Sequence, residues 1–483
     1  MPRSSLAMAL LLCLTPGVNR ALEIEKIQLP DMGDSSGTLI SPLQEKELGA
    51  AFFRNLHAKT DINQDAEIQE YIHSIGRQLA ANSDMPSNPF HFFVVMDPNI
   101  NAFAGPGGYI GINSGLILLS ESESELAAVM AHEIAHVTQR HLYRQVEAAS
   151  KMSIPTIAAT LAAILIGTQS PRMGQAAMMA IQAGNIQFQI DFTRDHEKEA
   201  DRVGMQILTQ SNFDPRAMPT FFERMQQSTR YYGRGIPEFL RTHPVSESRI
   251  ADTRGRAERY PYRQYPDSLG YLLTKARLYA MTEPNKAVVL QHFATLQNQG
   301  TAEQRAVARY GLGITHFESQ QYAEAAIQFQ KLVDEYPNTP QYITALARTA
   351  LDSRNYDQAN RLFAMAAETF PNNDVIKVEY SRSLLKSGHP ERARQVLLSL
   401  SEPRRTQAFY FELMSQTFAA LNQLGESHRY MAEHYFATGR SDDAVMQIRL
   451  GQKAQNPSYQ LQAILDERLN FFLNDIKERK RER

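Results

Sequence analysis

Residues 121–141 read ESESELAAVMAHEIAHVTQRH. Leu126, Val129, Met130 and Ile134 recur at the spacing of one helical face, which predicts a helix. Ala131, Ile134, Ala135 and Val137 surround its two histidines with apolar neighbours, so both are expected to be buried. His132 and His136 stand four apart. Four residues turn a helix by about 400°, which brings both imidazoles onto one face, one turn apart. Rings so placed can reach a single zinc ion at about 2.0–2.1 Å. Without a shared partner, two buried imidazoles would leave polar atoms unsatisfied. Glu133 adjoins the first of them and is the expected general base for attack of water on a peptide carbonyl.

A catalytic zinc takes a third protein ligand and keeps one position open. His141 lies about 140° around a continuous helix from His136 and is read as structural. The metzincin pattern, with its Gly and third His, is absent. A better source is Asp191–Gly204, DFTRDHEKEADRVG, whose Glu197 and Asp201 stand one turn apart on a second expected helix. One carboxylate can bind metal while the other accepts the free N–H of a ligand histidine. Spacing alone leaves Glu197 and Glu199 near ties; His196 and Glu199 are read as surface residues.

The chain has 483 residues, too many for one core, and its formal net charge of −2 favours no nucleic-acid partner. It opens with Arg3, then the apolar run Leu6–Leu14, then Pro16 and Gly17. That order is the plan of a cleaved signal peptide, residues 1–21, too short to anchor in a membrane. The only cysteine, Cys13, lies within it. An exported chain would therefore carry no disulfide and no thiolate metal ligand. No run of 18 apolar residues occurs. Ile154–Ile190 comes nearest, and is read as core helices or as an apolar flap able to touch a membrane surface or an unfolded chain.

Helical periodicity breaks at RYPYRQYP, residues 259–266. Beyond it Tyr322, Ala325, Phe329 and Pro337 are followed 34 residues later by Tyr356, Ala359, Phe363 and Pro371. Ala393 and Leu397 continue the series, and Ser427 stands where a fourth Ala would fall. This is the tetratricopeptide pattern, with small residues where helices approach and Pro where the second helix ends. Stacked repeats form a superhelix whose concave face suits peptides or partner proteins.

HEIAH at 132–136, then Glu197, Ala200 and Asp201, then His243, Pro244 and Arg249, resemble the zinc peptidases related to prenyl-protein and heat-shock membrane proteases. NAFAGPGGYIGINSGLILL, residues 101–119, is similar to the strand beside their cleft. With the leader and the repeats, the chain resembles the periplasmic branch concerned with outer-membrane barrel assembly. That resemblance implies one Zn2+ per chain and Glu197 as its third ligand. It implies degradation of stalled barrel proteins in the periplasm, and contact with the barrel assembly machinery and its lipopolysaccharide-transport client. It gives His243 two possible roles: stabiliser of the oxyanion, or a fourth ligand that latches the site shut. Asp201 is expected behind the ligands, held by Arg249.

The expected architecture is mainly α: a zincin-type metallopeptidase domain with a small β-sheet, residues 22–260, then an α-helical tetratricopeptide-repeat superhelix, residues 267–483. Tyr109, Ile110, Gly111 and Ile112 are expected to form an exposed edge strand that binds substrate in extended form. The competing reading is an assembly factor that docks through its repeats and keeps its zinc site latched.

Overall fold

The structure, a computed structural model, describes residues 41–144, 186–231, 237–454 and 458–481. The leader and residues 154–185 of the apolar segment lie outside the described residues. No helix among the described residues is long and apolar enough to cross a membrane.

The helix expected over the HEIAH segment is α4, Glu123–Thr138, introduced after α1 (Pro42–His57), α2 (Ala66–Ala80) and α3 (Ser114–Leu119). Ser122 caps it by accepting from the Glu125 amide, and Glu123 and Glu125 lie in its first turn, where acidic groups suit the helix dipole. Almost every residue of α4 is buried, so it runs through the centre of the domain rather than along its surface. Against it pack α2, α5 (Ile186–Gln210), α6 (Ala217–Tyr231) and the sheet. Gly204 of α5 sits against the α4 backbone: a Cβ there would lie 3.1 Å from both Cα and N of His132. The two helices can be this close only because that side chain is absent.

Three strands form the sheet: β1 (His91–Val95), β2 (Ala102–Ala104) and β3 (Tyr109–Asn113), in the order β1–β3–β2. β3 runs parallel to β1, with Phe92 beside Ile110, and antiparallel to β2, with Phe103 beside Gly111. The expected edge strand Tyr109–Ile112 is therefore the central one. Its backbone is bonded on both sides, and Ile110 and Ile112 are in the core. The alternating pattern marked a strand but could not say which neighbours it has. The outer strands are β1 and β2, and β2 is the one that packs on α4.

After α7 (Glu238–Thr242) and α8 (Glu247–Ala257), residues 261–268 have no regular structure. Twelve α-helices follow among the described residues. They are α9 (Leu269–Thr282), α10 (Lys286–Gln297), α11 (Ala302–Glu318), α12 (Tyr322–Glu335), α13 (Pro340–Asp352) and α14 (Tyr356–Thr369). Then come α15 (Asp374–Lys386), α16 (Pro390–Leu398), α17 (Ala408–Ala420), α18 (Leu424–Ala437), α19 (Ser441–Gln452) and α20 (Tyr459–Arg481). Ala325, Phe329, Ala359, Phe363, Ala393 and Leu397 are all fully buried, as the repeat requires. Ser427 keeps the small-residue position by accepting, through its carbonyl, a 2.8 Å hydrogen bond from the Ser415 hydroxyl. The turn between paired helices recurs as well. Gln320, Arg354, Gly388 and Asn422, each 34 residues from the last, take the left-handed backbone conformation (φ 58°, 63°, 81° and 58°). The next amide in each case bonds a carbonyl five residues back, at 2.8–2.9 Å.

The repeats do not stand free of the peptidase. Tyr271 of α9 reaches Ser120, with its hydroxyl 2.9 Å from the Ser120 carbonyl, and shares the peptidase core. Asp65, the cap of α2, accepts from Arg277 of α9 (2.9 Å to Nε) and from Arg348 of α13 (3.1 Å). Arg404, just before α17, pairs with Glu70 of α2. At the far end Arg54 of α1 meets Asp475 of α20 at 3.4 Å and lies over the Phe436 ring of α18.

Candidate metal centre

α4 presents His132, Glu133 and His136; α5 presents Glu197 and Asp201; His243 caps the short helix α7. Their ligand atoms converge. One donor atom each from His132, His136, Glu197 and His243 lies within 4.8 Å of the other three. His132 Nε2 is 3.0 Å from His136 Nε2 and 3.4 Å from His243 Nδ1. Glu197 Oε1 is 3.0 Å from His243 Nδ1 and 3.4 Å from His136 Nε2, and its Oε2 is 3.3 Å from His132 Nε2. Nitrogens that face one another this closely cannot all carry hydrogen. The lone pairs left over point at one spot, which is the arrangement a cation satisfies. Three imidazoles and a carboxylate, with no thiol, also form a donor set suited to a borderline metal.

Behind the cluster the charges are fixed. His132 Nδ1 is 3.1 Å from Asp201 Oδ1. Arg249 grips Asp201 with two 2.7 Å hydrogen bonds, donates to the Pro244 carbonyl at 2.8 Å, and lies 2.9 Å from Glu197. Burial would raise the Asp201 carboxyl, but Arg249 outweighs it and holds it below the usual range. Burial likewise opposes ionisation of Glu197, and His243, His132 and His136 more than reverse that. Burial pushes His132 down; hydrogen bonding to Asp201 and Glu197 prevails and holds its pKa at about 9. His136 has less compensation, and burial takes it to about 4. In the protein alone, then, one imidazolium serves two carboxylates, and a bound cation would take over that charge.

Glu133 is treated differently. It is 1% exposed, and neither carboxylate oxygen has a hydrogen bond of ordinary geometry. Burial raises its pKa, against the pull of His243 and His132 and of the Ala104 amide. His243 Nε2 is 3.4 Å from its Oε1. The imidazole of His243 thus faces the ligand cluster with one nitrogen and Glu133 with the other. Its own helix is docked by Phe239, which packs on Phe221 and donates its amide to the Ile100 carbonyl at 3.0 Å.

All the residues expected around the metal meet here, whereas Tyr109, Ile110, Gly111 and Ile112 do not line the cluster as an edge. Tyr109 stacks instead between Phe53 and His91. The strand beside the cluster is β2. Phe103 faces Gly111 in the ladder, flanked by the hydrogen bonds Asn113 N→Asn101 O and Gly105 N→Tyr109 O. The alternation of an antiparallel pair turns the Ala102 and Ala104 backbone groups outward. Asn101 has a buried side-chain carbonyl without a hydrogen-bond partner.

Two further expectations change. His196 is buried rather than superficial, stacked on His141 at 4.2 Å and 11°. Glu199 is only partly exposed and joins His141 and Arg144. The helical-wheel argument that turned His141 away assumed an unbroken helix. α4 stops at Thr138, and Arg140 takes φ 54°, which folds His141 back towards His136. No residue type at 139–141 announced that stop.

The profile of Peptidase family M48 matches residues 66–257, and tetratricopeptide profiles match residues 307–339 and 350–417. The beta-barrel assembly-enhancing protease of Escherichia coli (strain K12) is 35% identical over 435 residues, covering 88% of this chain and 89% of its own. That of Yersinia pestis is 31% identical over 436 residues, with the same coverage. The mitochondrial metalloendopeptidase OMA1 of Schizosaccharomyces pombe is 32% identical over 180 residues, 37% of this chain and half of its own. The mitochondrial metalloendopeptidase thus matches little more than a third of the chain, while the assembly-enhancing proteases match nearly end to end. On that full-length similarity the chain belongs to the beta-barrel assembly-enhancing proteases, metallopeptidases of family M48.

Proposed function

We propose that this metallopeptidase is a zinc-dependent endopeptidase of the periplasm that degrades outer-membrane barrel proteins stalled in assembly. The observation that carries the chemistry is the convergence of His132, His136, Glu197 and His243 beside a buried Glu133 whose carboxylate has no hydrogen bond of ordinary geometry. His132, His136 and Glu197 hold the metal, and Asp201 orients His132. Zinc bound there would supply Lewis-acid polarisation of the scissile carbonyl and a lowered pKa for water. Glu133 accepts the proton of the attacking water and returns it to the leaving amine, a task its apolar surroundings suit by raising its pKa.

Backbone groups of Ala102 and Ala104 take the substrate as an added strand, and the free carbonyl of Asn101 accepts from its backbone. Recognition by backbone admits many unfolded chains and no folded ones. His243 supports the latch reading over the oxyanion one, because its Nδ1 lies among the ligand atoms and its Nε2 covers the base. Phe239 meanwhile occupies the Ile100 carbonyl at the start of the edge strand. One short helix therefore closes both the metal and the strand. This closed arrangement also favours a second role, assistance to barrel assembly while the peptidase is shut.

We assign residues 22–260 to the peptidase and 267–483 to the repeats, which dock on the barrel assembly machinery; α9 serves both units. Digestion of an unfolded barrel protein by zinc-loaded wild type, Glu133→Gln and His243→Ala tests the mechanism. Loss of the general base is expected to slow cleavage by about 10²–10⁴-fold. His243→Ala is expected to cleave faster than wild type. Equal cleavage by Glu133→Gln and wild type would refute the role of Glu133.

A further inference from the structure

We infer that His141, with Glu199 and Arg144 behind it, is a positioning group for the metal: a relay that fixes the tautomer and orientation of His136. The inference rests on the reading of His136 as a metal ligand. His136 presents Nε2 to the ligand cluster, 3.0 Å from His132 Nε2. A neutral imidazole that ligates through Nε2 carries its only hydrogen on Nδ1. That Nδ1 is 2.9 Å from Nδ1 of His141. One hydrogen serves the two nitrogens, so His136 donates and His141 accepts with its lone pair. The hydrogen of His141 is then on Nε2, which lies 3.1 Å from Glu199 Oε2. Arg144 holds that same oxygen at 3.0 Å. Assigning one proton therefore sets the direction of every hydrogen bond from the cluster to Arg144.

The other ligand histidine on α4 ends the same way. His132 Nδ1 meets Asp201, and Asp201 is gripped by Arg249. Each ligand histidine on α4 leads to a carboxylate held by an arginine, once directly and once through a second imidazole. The partner of a ligand histidine sets its ring plane and raises its basicity. Three features show that the longer route is built rather than incidental. His141 is 2% exposed. Its ring is clamped face to face by His196. The chain adopts φ 54° at Arg140, an arginine in left-handed backbone, to bring it there.

The test compares His141→Phe, which keeps a flat ring but removes the acceptor, with His141→Asn. The Asn side-chain oxygen replaces Nδ1 as acceptor but does not reach Glu199. Zinc affinity is measured on the full chain by chelator competition, and the visible spectrum is recorded after cobalt substitution. Thermal unfolding of the metal-free proteins serves as the check on folding. Loss of such an outer partner typically weakens metal binding by about 10–100-fold. His141→Phe is expected to fall in that range with an altered cobalt spectrum. His141→Asn is expected to recover part of the affinity and the wild-type band shape, and Glu199→Gln to lose less than His141→Phe. Wild-type affinity and spectrum in His141→Phe would overturn the relay alone. Equal losses in His141→Phe and His141→Asn would overturn it too, since packing, not acceptance, would then be the cause. Wild-type protein that takes up no zinc would overturn it together with the metal site it depends on.

Discussion

Asp65 and Glu133 are both buried carboxylates of the peptidase domain, and the fold treats them in opposite ways. Asp65 accepts five hydrogen bonds, from the Glu67 and Ile68 amides, twice from Arg277, and from Arg348. Its pKa is depressed, because the two arginines overcome burial. Glu133 has no hydrogen bond of ordinary geometry, and burial raises its pKa. A satisfied charge makes structure, whereas one left short of partners is held ready for a group that arrives later. The peptidase–repeat interface is the first kind of place and the metal centre is the second.

The contrast can be broken at several points. Asp65→Asn keeps a capping side chain but leaves the buried Arg277 and the half-buried Arg348 short of their anion. It is expected to destabilise the chain by about 3–5 kcal/mol in denaturant unfolding. A loss under about 1 kcal/mol would reduce the interface to the rank of a surface pair.

The centre is held by shape as well as charge. Gly204→Ala drives a methyl group into the α4 backbone and is expected to lose about 1–3 kcal/mol. Because α4 and α5 carry three of the four donors, it should also weaken zinc binding; unchanged affinity would show that the helix spacing is not what sets the site.

Glu133→Gln removes a buried, poorly partnered charge. It is expected to raise the stability of the metal-free chain at neutral pH, by on the order of 1 kcal/mol, while slowing cleavage by about 10²–10⁴-fold. A drop in stability would mean that Glu133 is better satisfied than its surroundings indicate.

Glu67 tests the interface by pH. Burial raises its pKa to about 7, Asp65 and Glu379 adding to the effect while Arg277 and Arg348 oppose it. Between the ordinary glutamate value and about 7 the folded chain keeps a proton that the unfolded chain has lost. Its stabilising share is complete below that window and lost as pH rises through 7. Wild type and Glu67→Gln should match near pH 4, with the variant more stable by on the order of 1 kcal/mol at pH 8. A gap that narrows with rising pH would reverse the assignment.

Much of the centre was legible because its residues are spaced by helical turns, and a turn is a local rule. His132 with His136 needed no knowledge of the rest of the chain, whereas spacing left Glu197 and Glu199 near ties and the family resemblance pointed to Glu197. The repeats were legible for the same reason: period and small residues are written in order. What escaped depends on long-range placement. The run Tyr109–Ile112 reads as a strand, but only the return of β2 makes it central. His141 was set aside by extending a helix three residues too far, past the turn at Arg140. Asp65 gave no sign that its partners lie more than two hundred residues away.

The repeat array ends where it began, against the peptidase. α9 is fastened to α2 through Arg277 and Asp65, and α20 to α1 through Asp475 and Arg54. Gly439, in the turn before α19, lies so close to α1 that a Cβ would fall 2.3 Å from the Arg54 carbonyl oxygen. Open solenoids can lengthen or shorten by whole units, since each unit meets only its neighbours. A bridge fixed at both abutments cannot change its number of spans. Duplication or loss of a single 34-residue unit, an ordinary event in the history of repeat proteins, would here tear one end from its footing, so the repeat count is as constrained as the ligand set.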